Sequence, residues 1–314
     1  MSRYGKEEIM DIRLSDGSSW SLAAINALLV RRCEGGFHDL QLLSNGQSTV
    51  LSGTQRLSGL PVVVKLTIAP GTAKSEAYFL DSWRASGVPV PNVLLVDDAT
   101  HDHEPDILVM ERVNGSPLAR SGHVSTDMVK RIAKLQSLMH RAAGQGYGRP
   151  DREQPWRGVA DTFSDEMEIE WERRLAQIVQ HEMFQGRLRS QFLAATCCIE
   201  SDCERERSGG TLTHSDLSMD NVLLNTAGEI VIIDPNCRLT HPAMCAAYTF
   251  LRLSLGGQAD AAQIYRFSYL SDSRIREQVF GAALQLRTIL SISTWLKKGK
   301  FSEAADAARI AGLS

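Results

Sequence analysis

The segment LTHSDLSMDNVLLNTAGEIVIIDPN, residues 212–236, constrains the fold more than any other part of the chain. Two apolar runs, VLL and IVII, are joined by NTAGE, in which Gly228 can adopt the left-handed conformation of a tight turn. The pattern predicts a β-hairpin with buried strands. Asp216 lies in the loop before the first strand, and Asp234 directly follows the second. The hairpin therefore holds two acids at fixed positions.

The polar residues of this hairpin suit a hard cation and a proton acceptor. Mg²⁺ prefers carboxylate and amide oxygens, and it usually keeps water and substrate phosphate oxygens as its other ligands. Asn221 and Asp234 can supply the protein ligands. Asp216 then remains to accept a proton from an incoming hydroxyl group. Turn and capping roles are the structural alternative for the two acids.

Composition excludes several classes of protein. The 314 residues are 43% hydrophobic and 23% charged, with a net charge of -3, which does not suggest binding to nucleic acid. The start of the chain lacks the apolar core of a secretory signal, and no apolar run approaches the roughly 20 residues of a membrane span. The six cysteines form no CxxC pair. We expect a cytoplasmic protein with reduced thiols and no membrane partner, with a metal site or disulfide as the alternative.

Residues 1–113 predict a small sheet with one helix packed on it, after an amphipathic helix over 20–32. Strands are expected in HDLQLLS, STVLSGTQR, LPVVVKLTI, NVLLVDD and DILVMERV, which are rich in β-branched and apolar residues. The dipeptide Asn45-Gly46 is a strong turn signal between the first two strands. Helical spacing over 72–87 predicts the helix that packs on this sheet.

Residues 114–314 predict a larger, mainly helical domain. An apolar stripe over 125–143 indicates a helix that Ser125 or Thr126 caps. Further helices are expected over 161–198 and after residue 242, with the hairpin inserted between them. The chain is therefore expected to be an α+β protein in which a small β-rich lobe precedes a helical lobe.

The spacing of His214, Asp216 and Asn221 matches the kinase catalytic loop, H-x-D-x-x-x-x-N. IDPN follows where protein kinases carry DFG. The chain thereby resembles the aminoglycoside phosphotransferase and choline-kinase-like family of small-molecule kinases. It departs from that family at Ser215, where glycine is usual, and at Pro235, which follows the metal acid. The resemblance implies a bilobal, protein-kinase-like fold, and we expect His214 to be a scaffold residue.

The resemblance also requires a lysine on a central strand to hold the α- and β-phosphates, and a helix glutamate to orient it. Lys65 in VVVKL and Glu76 in KSEAYFL meet this requirement. The turn SNGQST is expected to cover the phosphates, and the segment near Met110 and Arg112 to meet the base through its main chain. The residues expected to contact phosphate in the turn are Ser44, Asn45, Gly46 and Ser48.

The predicted activity is transfer of the γ-phosphate of ATP or GTP, with Mg²⁺, to a hydroxyl group of a small molecule. An aminoglycoside or related antibiotic is the first candidate acceptor, which indicates antibiotic resistance. A sugar, a fructosamine and an amino alcohol are the alternatives. A catalytically silent nucleotide-binding protein is the alternative of another class, and the missing A-P-E segment argues against a protein kinase. The protein is expected to be a monomer or dimer.

The acidic segment DTFSDEMEIEWE, residues 161–172, has no basic residue before Arg173. One interpretation is an anionic wall that binds a cationic acceptor, because carboxylates attract ammonium groups. The other is a solvated helix face. Trp171 within this segment suits either stacking on an acceptor or a place in the core.

Overall fold

The computed structural model describes residues 11–13, 18–45, 48–99, 104–121, 124–178, 187–206 and 209–313. The chain divides into two compact units. The first comprises Met1–Asp81 and Pro91–Val113, and the second comprises Ser82–Val90 and Asn114–Ser314.

The first unit is built on a five-stranded antiparallel sheet with the strand order β3-β4-β5-β7-β6. Strands β1 and β2 form a separate antiparallel pair. The predicted strands and both predicted helices are confirmed. The elements are β1 (Asp11–Arg13), β2 (Ser19–Ser21), α1 (Leu22–Arg32), β3 (Phe37–Asn45), β4 (Thr49–Gln55), β5 (Pro61–Thr67), α2 (Thr72–Ala85), β6 (Val93–Asp97) and β7 (Asp106–Glu111).

The two faces of β5 carry different kinds of buried side chain. Val62, Val64 and Leu66 belong to an apolar core that also contains Ile25 of α1. Because successive side chains of a strand point to opposite faces, Lys65 lies on the other face of the sheet. There it meets α2. The alternation along this strand therefore separates the apolar core from the one lysine that β5 carries.

Helix α2 is fixed at its start by a buried carboxylate. Asp106 is only 1% exposed. Its Oδ2 accepts a hydrogen bond from the Gly71 N–H at 2.7 Å, and its Oδ1 accepts one from the Ala99 N–H at 2.8 Å. A buried carboxylate needs such donors, because burying even an uncharged polar group without a hydrogen bond costs about 2 to 7 kcal/mol. Asp106 therefore joins β7 to the residue before α2.

The second unit combines seven helices with two small sheets in the part of the chain that is described. The helices are α3 (Thr126–Met139), α4 (Phe163–Ile178), α5 (Arg187–Glu206), α6 (Pro242–Leu255), α7 (Ala259–Asp272), α8 (Glu277–Lys297) and α9 (Phe301–Ile310). The strands are β8 (Gly115–Pro117), β9 (Tyr147–Pro150), β10 (Gly158–Ala160), β11 (Thr211–His214), β12 (Val222–Asn225), β13 (Ile230–Ile232) and β14 (Cys237–Thr240).

The predicted hairpin is confirmed as β12 and β13, with Gly228 at φ +77° in the turn. Ser125 rather than Thr126 caps α3, because its side chain accepts a hydrogen bond from the Met128 N–H. The structure adds two features that the sequence did not indicate. Strand β8 pairs with β12, which makes a three-stranded sheet, and β10, β9, β14 and β11 form a second sheet.

Helix α8 lies at the centre of the second unit. Among the described residues it is the one helix long and apolar enough to cross a membrane, and 78% of that stretch is buried inside the protein. It contacts α4, α5, α6 and α9. Such burial is typical of a core helix.

Candidate active site

The loop between β11 and β12 is tied to the chain that follows β13. The Ser215 N–H donates to the Asn236 carbonyl at 2.9 Å, and the Ile233 N–H donates to the Asn221 carbonyl at 3.0 Å. Asn221 also donates from Nδ2 to the Asp216 carbonyl at 2.8 Å. These bonds bring together the loop of Asp216 and Asn221 with the segment that carries Asp234, as the hairpin pattern predicted.

His214 is a scaffold for this loop. It is fully buried, with Nε2 3.1 Å from the Ile233 carbonyl and Nδ1 3.3 Å from the Asp216 N–H. A carbonyl only accepts and a backbone N–H only donates, so the neutral tautomer with its proton on Nε2 satisfies both. The Trp83 ring stacks on the imidazole with 6.0 Å between centroids. Both ring nitrogens are therefore occupied, which leaves none for proton transfer.

The carboxylate of Asp216 has two different oxygens. The Tyr248 hydroxyl donates to Oδ1 at 2.6 Å. Burial and the neighbouring Asp216 charge raise the pKa of Tyr248 to about 12, so this tyrosine stays protonated and remains a donor. Within the described ranges, Oδ2 accepts no hydrogen bond. One oxygen of a half-buried carboxylate can thus accept a proton from a hydroxyl group.

Asn221 and Asp234 fit a magnesium ion in their chemistry. Asn221 uses Nδ2 in the loop, so its Oδ1 can serve as a ligand. Asp234 is exposed and lies in the left-handed region at φ +52°, a conformation that costs a non-glycine residue about 1–3 kcal/mol. Two oxygen ligands suit Mg²⁺, which keeps water and phosphate in its other positions. The described residues contain no cluster of three or more His, Cys, Asp or Glu side chains for a metal.

Lys65 and Glu76 form a buried ion pair in the first unit. Lys65 Nζ lies 2.7 Å from Glu76 Oε1 and 2.9 Å from Oε2. The two residues are 7% and 3% exposed. Taking both charges from water costs several kcal/mol for each ion, and only close contact repays it. The ammonium group is thereby held in a fixed position at the sheet surface, as the resemblance implied.

The residues of the predicted phosphate-covering turn have local partners. Ser44 is exposed on β3, opposite Val50. Asn45 Oδ1 accepts a hydrogen bond from the Thr49 hydroxyl at 3.1 Å, and the Ser48 hydroxyl lies 3.1 Å from that of Thr67. Gly46 lies outside the described residues. Contact of this turn with phosphate stays a prediction.

The segment predicted to meet the base uses its N–H groups within the first unit. Met110 is buried in β7 and pairs with Val63 on one side and Val93 on the other. The Arg112 N–H donates to the Pro61 carbonyl at 3.0 Å. Contact with a nucleotide base here stays a prediction, and the Arg112 N–H is already engaged.

The structure corrects the interpretation of residues 161–172 as an anionic wall for two of its six acids. Glu166 and Glu170 point inward and are 2% and 4% exposed. Arg238 donates from Nε to Glu166 at 2.6 Å and from Nη2 to Glu170 at 2.8 Å. Helical spacing explains the difference, because residues four apart lie on the same face and that face packs inward. Trp171 is also in the core, where its ring centroid lies 4.8 Å from that of Phe192.

These charges form a buried ion cluster, which we define as Glu166, Glu170, Arg174 and Arg238. Burial opposes the charge on Glu170, but Arg238 and Arg173 outweigh it and lower the pKa of Glu170 to about 2. A cavity of about 20 Å³ adjoins the cluster. This volume is about that of one water molecule. The cluster joins α4 to β14 and is a structural feature of the second unit.

Sequence reasoning missed three residues near the loop. Tyr248, Arg287 and Arg238 belong to no motif, and each reaches its partner from a distant part of the chain. One signal was available. Arg287 is a lone cation in the apolar run of α8, and such a residue in a core helix needs a partner. None of the six cysteines is in a disulfide, and reduced thiols stay a prediction.

Comparisons with known proteins identify the family and the fold. The model of the family described as "Phosphotransferase enzyme family" matches residues 39–277. The structure is similar to that of a thermostable mutant of the aminoglycoside phosphotransferase APH(4)-Ia in complex with AMP-PNP and hygromycin B. That match has 19% identity and a TM-score of 0.68, and it covers 92% of this chain and 96% of the other. A search of curated proteins by sequence found no match.

Two other solved structures share the fold. The macrolide 2'-phosphotransferase MphH from Brachybacterium faecium has 16% identity and a TM-score of 0.57, covering 91% of this chain and 97% of the other. The Plasmodium vivax ethanolamine kinase has 14% identity and a TM-score of 0.51, covering 86% and 76%. The predicted α+β, protein-kinase-like fold class is confirmed.

Proposed function

The chain belongs to the phosphotransferase enzyme family, and from that premise we propose that it transfers the γ-phosphoryl group of ATP or GTP to a hydroxyl group of a small molecule. It is a kinase-like phosphotransferase that acts on small molecules. The nucleotide, the acceptor and the roles of individual residues are the proposed part. We also propose that residues 1–113 bind the nucleotide and that residues 114–314 supply the catalytic loop and the acceptor site.

The first unit supplies the cation for the nucleotide in this proposal. Lys65 contacts the α- and β-phosphates, and Glu76 holds its ammonium group in place. Ser44, Asn45, Gly46 and Ser48 cover the phosphates. The main chain near Met110 and Arg112 meets the base. The proposal agrees with the nucleotides in related structures, which were solved with AMP-PNP and with ADP.

The second unit supplies the proton acceptor. Asp216 orients the acceptor hydroxyl and takes its proton, while Asn221 and Asp234 hold Mg²⁺. The ion, when bound, neutralises charge on the phosphate oxygens. Catalysis is then mainly positioning and electrostatic stabilisation, with no covalent intermediate.

The observation that carries the proposal is the Asp216 carboxylate, oriented through Oδ1 and without a hydrogen bond at Oδ2 in the described chain. A protein that binds nucleotide but does not catalyse transfer does not require an oriented proton acceptor beside an asparagine and a second acid. This argues against the alternative of another class.

An aminoglycoside or related antibiotic is the first candidate acceptor, because a similar structure contains hygromycin B. Of the candidate acceptors, only this one implies a role in antibiotic resistance. A sugar, a fructosamine and an amino alcohol remain the alternatives, since the related structures include an ethanolamine kinase. A cationic acceptor now has fewer acids to contact, because Glu166 and Glu170 are paired with Arg238. The acids of the segment that remain exposed are Asp161, Asp165, Glu168 and Glu172.

A panel of acceptors tests the proposal. The purified protein is incubated with Mg²⁺ and ATP or GTP, and with hygromycin B, another aminoglycoside, a hexose, a fructosamine or ethanolamine. ADP or GDP release and the mass of the acceptor are both measured. We expect one class to gain a phosphoryl group in stoichiometric amount with nucleoside diphosphate. Absence of a phosphorylated acceptor throughout the panel, together with no nucleotide binding, would contradict the proposal.

Replacing Lys65 with methionine is expected to weaken ATP binding about 10-fold to 100-fold, with or without metal. A hydrogen bond to a charged group contributes about 1.5–3 kcal/mol, and the variant loses it. The double variant Lys65→Met/Glu76→Gln removes the buried charge that Lys65→Met leaves behind, so it separates loss of binding from loss of stability. Calorimetric titration with ATP measures the affinity of the single and the double variant. Lys130→Met, at an exposed lysine, is the matched control. Unchanged affinity in the double variant contradicts the role of Lys65.

Replacing Asp234 with asparagine is expected to weaken nucleotide binding only when Mg²⁺ is present. The change removes one negative oxygen from a hard-cation site and leaves the metal-free contacts of the nucleotide unchanged. Titrations with ATP in excess Mg²⁺ and in EDTA measure the difference. Asp220→Asn is the control, because Asp220 is an exposed acid of the same loop. Equal losses in the two media would remove Asp234 from the metal site.

A cytoplasmic location, a monomeric or dimeric state, and the absence of nucleic-acid or membrane partners stay predictions.

A further inference from the structure

Tyr248 approaches Asp216 from α6. Its hydroxyl donates to Asp216 Oδ1 at 2.6 Å, while the Asp216 carbonyl accepts from Asn221 at 2.8 Å. The side chain and the main chain of Asp216 are therefore held by different groups. No motif of the kinase catalytic loop includes the tyrosine, and nothing in the proposed reaction so far uses it.

Arg287 of α8 holds the tyrosine against the loop. Its Cζ atom lies 4.3 Å from the centroid of the Tyr248 ring, and its Nη2 donates to the Ser215 carbonyl at 2.6 Å. Among the described residues Arg287 has no carboxylate partner. The ring face and the carbonyl thus compensate its charge. A guanidinium stacked in this way restrains both the ring and the residue before Asp216.

A carboxylate has two equivalent oxygens, and rotation of its side chain exchanges them. The bond from Tyr248 removes that freedom, because one oxygen is occupied and the other must then point elsewhere. Orientation matters for a bound acceptor, whose hydroxyl lies in one place, more than for water, which can enter in many orientations. The contact therefore distinguishes the two nucleophiles that compete for a phosphoryl group.

We propose that Tyr248 is a positioning residue: its hydrogen bond to Oδ1 of Asp216 leaves Oδ2 to face the acceptor, which favours phosphoryl transfer over hydrolysis. This inference rests on the proposed function. The acceptor oxygen forms a bond to the γ-phosphorus as the bond to the β–γ bridging oxygen breaks. The electron pair of that bond leaves with ADP, and the hydroxyl proton passes to Asp216 Oδ2. With water as nucleophile the same step yields inorganic phosphate. Arg287 acts through Tyr248 and Ser215.

The test uses Tyr248→Phe, which removes the hydroxyl and keeps the ring that Arg287 covers. Phosphorylated acceptor and free phosphate are measured together, with Mg-ATP and each compound of the acceptor panel. We expect the ratio of transfer to hydrolysis to fall about 10-fold to 100-fold, the usual effect of one hydrogen bond to a charged group. The loss should appear in kcat, while KM for the acceptor and Kd for Mg-ATP stay unchanged.

Two further variants separate positioning from a structural effect. Tyr269→Phe removes a hydroxyl that lies 2.8 Å from His140 in the same unit, and it should leave the ratio unchanged. Arg287→Met should shift the ratio in the same direction as Tyr248→Phe, because it releases both the ring and the Ser215 carbonyl.

The outcomes distinguish this inference from the proposed function. If the wild-type protein transfers phosphate and Tyr248→Phe retains its ratio of transfer to hydrolysis, the positioning role is overturned and the proposed function stands. If Tyr248→Phe and Tyr269→Phe lower the ratio equally, the effect is structural and the inference is again overturned. If the wild-type protein phosphorylates no compound of the panel and binds no nucleotide, the proposed function and this inference fail together.

Discussion

Replacing Asp216 with asparagine is expected to lower phosphoryl transfer at least about 100-fold, the effect of removing a positioned acid or base. An amide oxygen can still accept the hydrogen bond from Tyr248, so the loop geometry is retained. It cannot take the acceptor proton. The affinity for Mg-ATP should stay close to that of the wild-type protein, because Asp216 faces the acceptor rather than the nucleotide in the proposed reaction.

Two measurements check this expectation. Single-turnover transfer at saturating Mg-ATP gives the rate of the chemical step, and calorimetric titration gives the affinity. Asp220→Asn serves as the matched control, since it makes the same change at an exposed acid four residues later. Full activity of Asp216→Asn excludes Asp216 as the proton acceptor. A parallel loss in nucleotide affinity assigns it to the metal site instead.

Replacing Arg238 with alanine is expected to destabilise the second unit by about 3–5 kcal/mol, the cost of breaking a buried ion pair on one side. Arg238 is the partner that Glu166 and Glu170 share, and both carboxylates are almost fully buried. Thr240 donates to Glu166 at 3.0 Å, but a hydroxyl does not neutralise the charge. Urea unfolding, followed by near-ultraviolet circular dichroism, measures the change in the free energy of unfolding.

Two variants control this experiment. Arg309→Ala removes an exposed ion pair with Asp306 and should cost less than about 1 kcal/mol. Arg238→Met/Glu166→Gln removes one charge of each sign and leaves Glu170 paired with Arg173 and Arg174, so it should recover much of the stability that Arg238→Ala loses. A cost for Arg238→Ala as small as that for Arg309→Ala contradicts a structural role of the cluster.

Glu170 makes stability depend on pH, and Glu166 acts in the opposite direction because burial raises its pKa. The pKa of Glu170 is about 2 in the folded protein against an ordinary value of 4.5, so the unfolded chain binds its proton first as the pH falls. The stability that Glu170 contributes is complete above pH 4.5 and is lost as the pH falls toward 2. Arg238→Ala raises the folded-state pKa, and it should therefore flatten this part of the stability profile.

The sequence by itself determined the elements and the loop chemistry. β-Branched residues predicted the strand LPVVVKLTI and helical spacing predicted the helix over 72–87. The resemblance to small-molecule kinases then selected Lys65 and Glu76, which meet at 2.7 Å. The Asp216 loop and the hairpin after it are local, and short-range backbone preferences and turn residues suffice to predict them. The resemblance to small-molecule kinases rested on these local motifs.

Only the tertiary structure decided which side chains are partners across long distances in the chain. Strand β8 has three residues, too few for a periodic pattern, and it exists because β12 offers its edge. From the sequence alone, Glu166 and Glu170 are expected on a solvated or anionic helix face. In the structure, Arg238 of β14 forms ion pairs with both. From the sequence alone, Tyr248 is a polar residue in a mainly apolar helix. Its partner, Asp216, is defined only when α6 packs beside the Asp216 loop. Burial and charge pairing depend on the packed whole, because free energy is gained only when distant segments exclude water together.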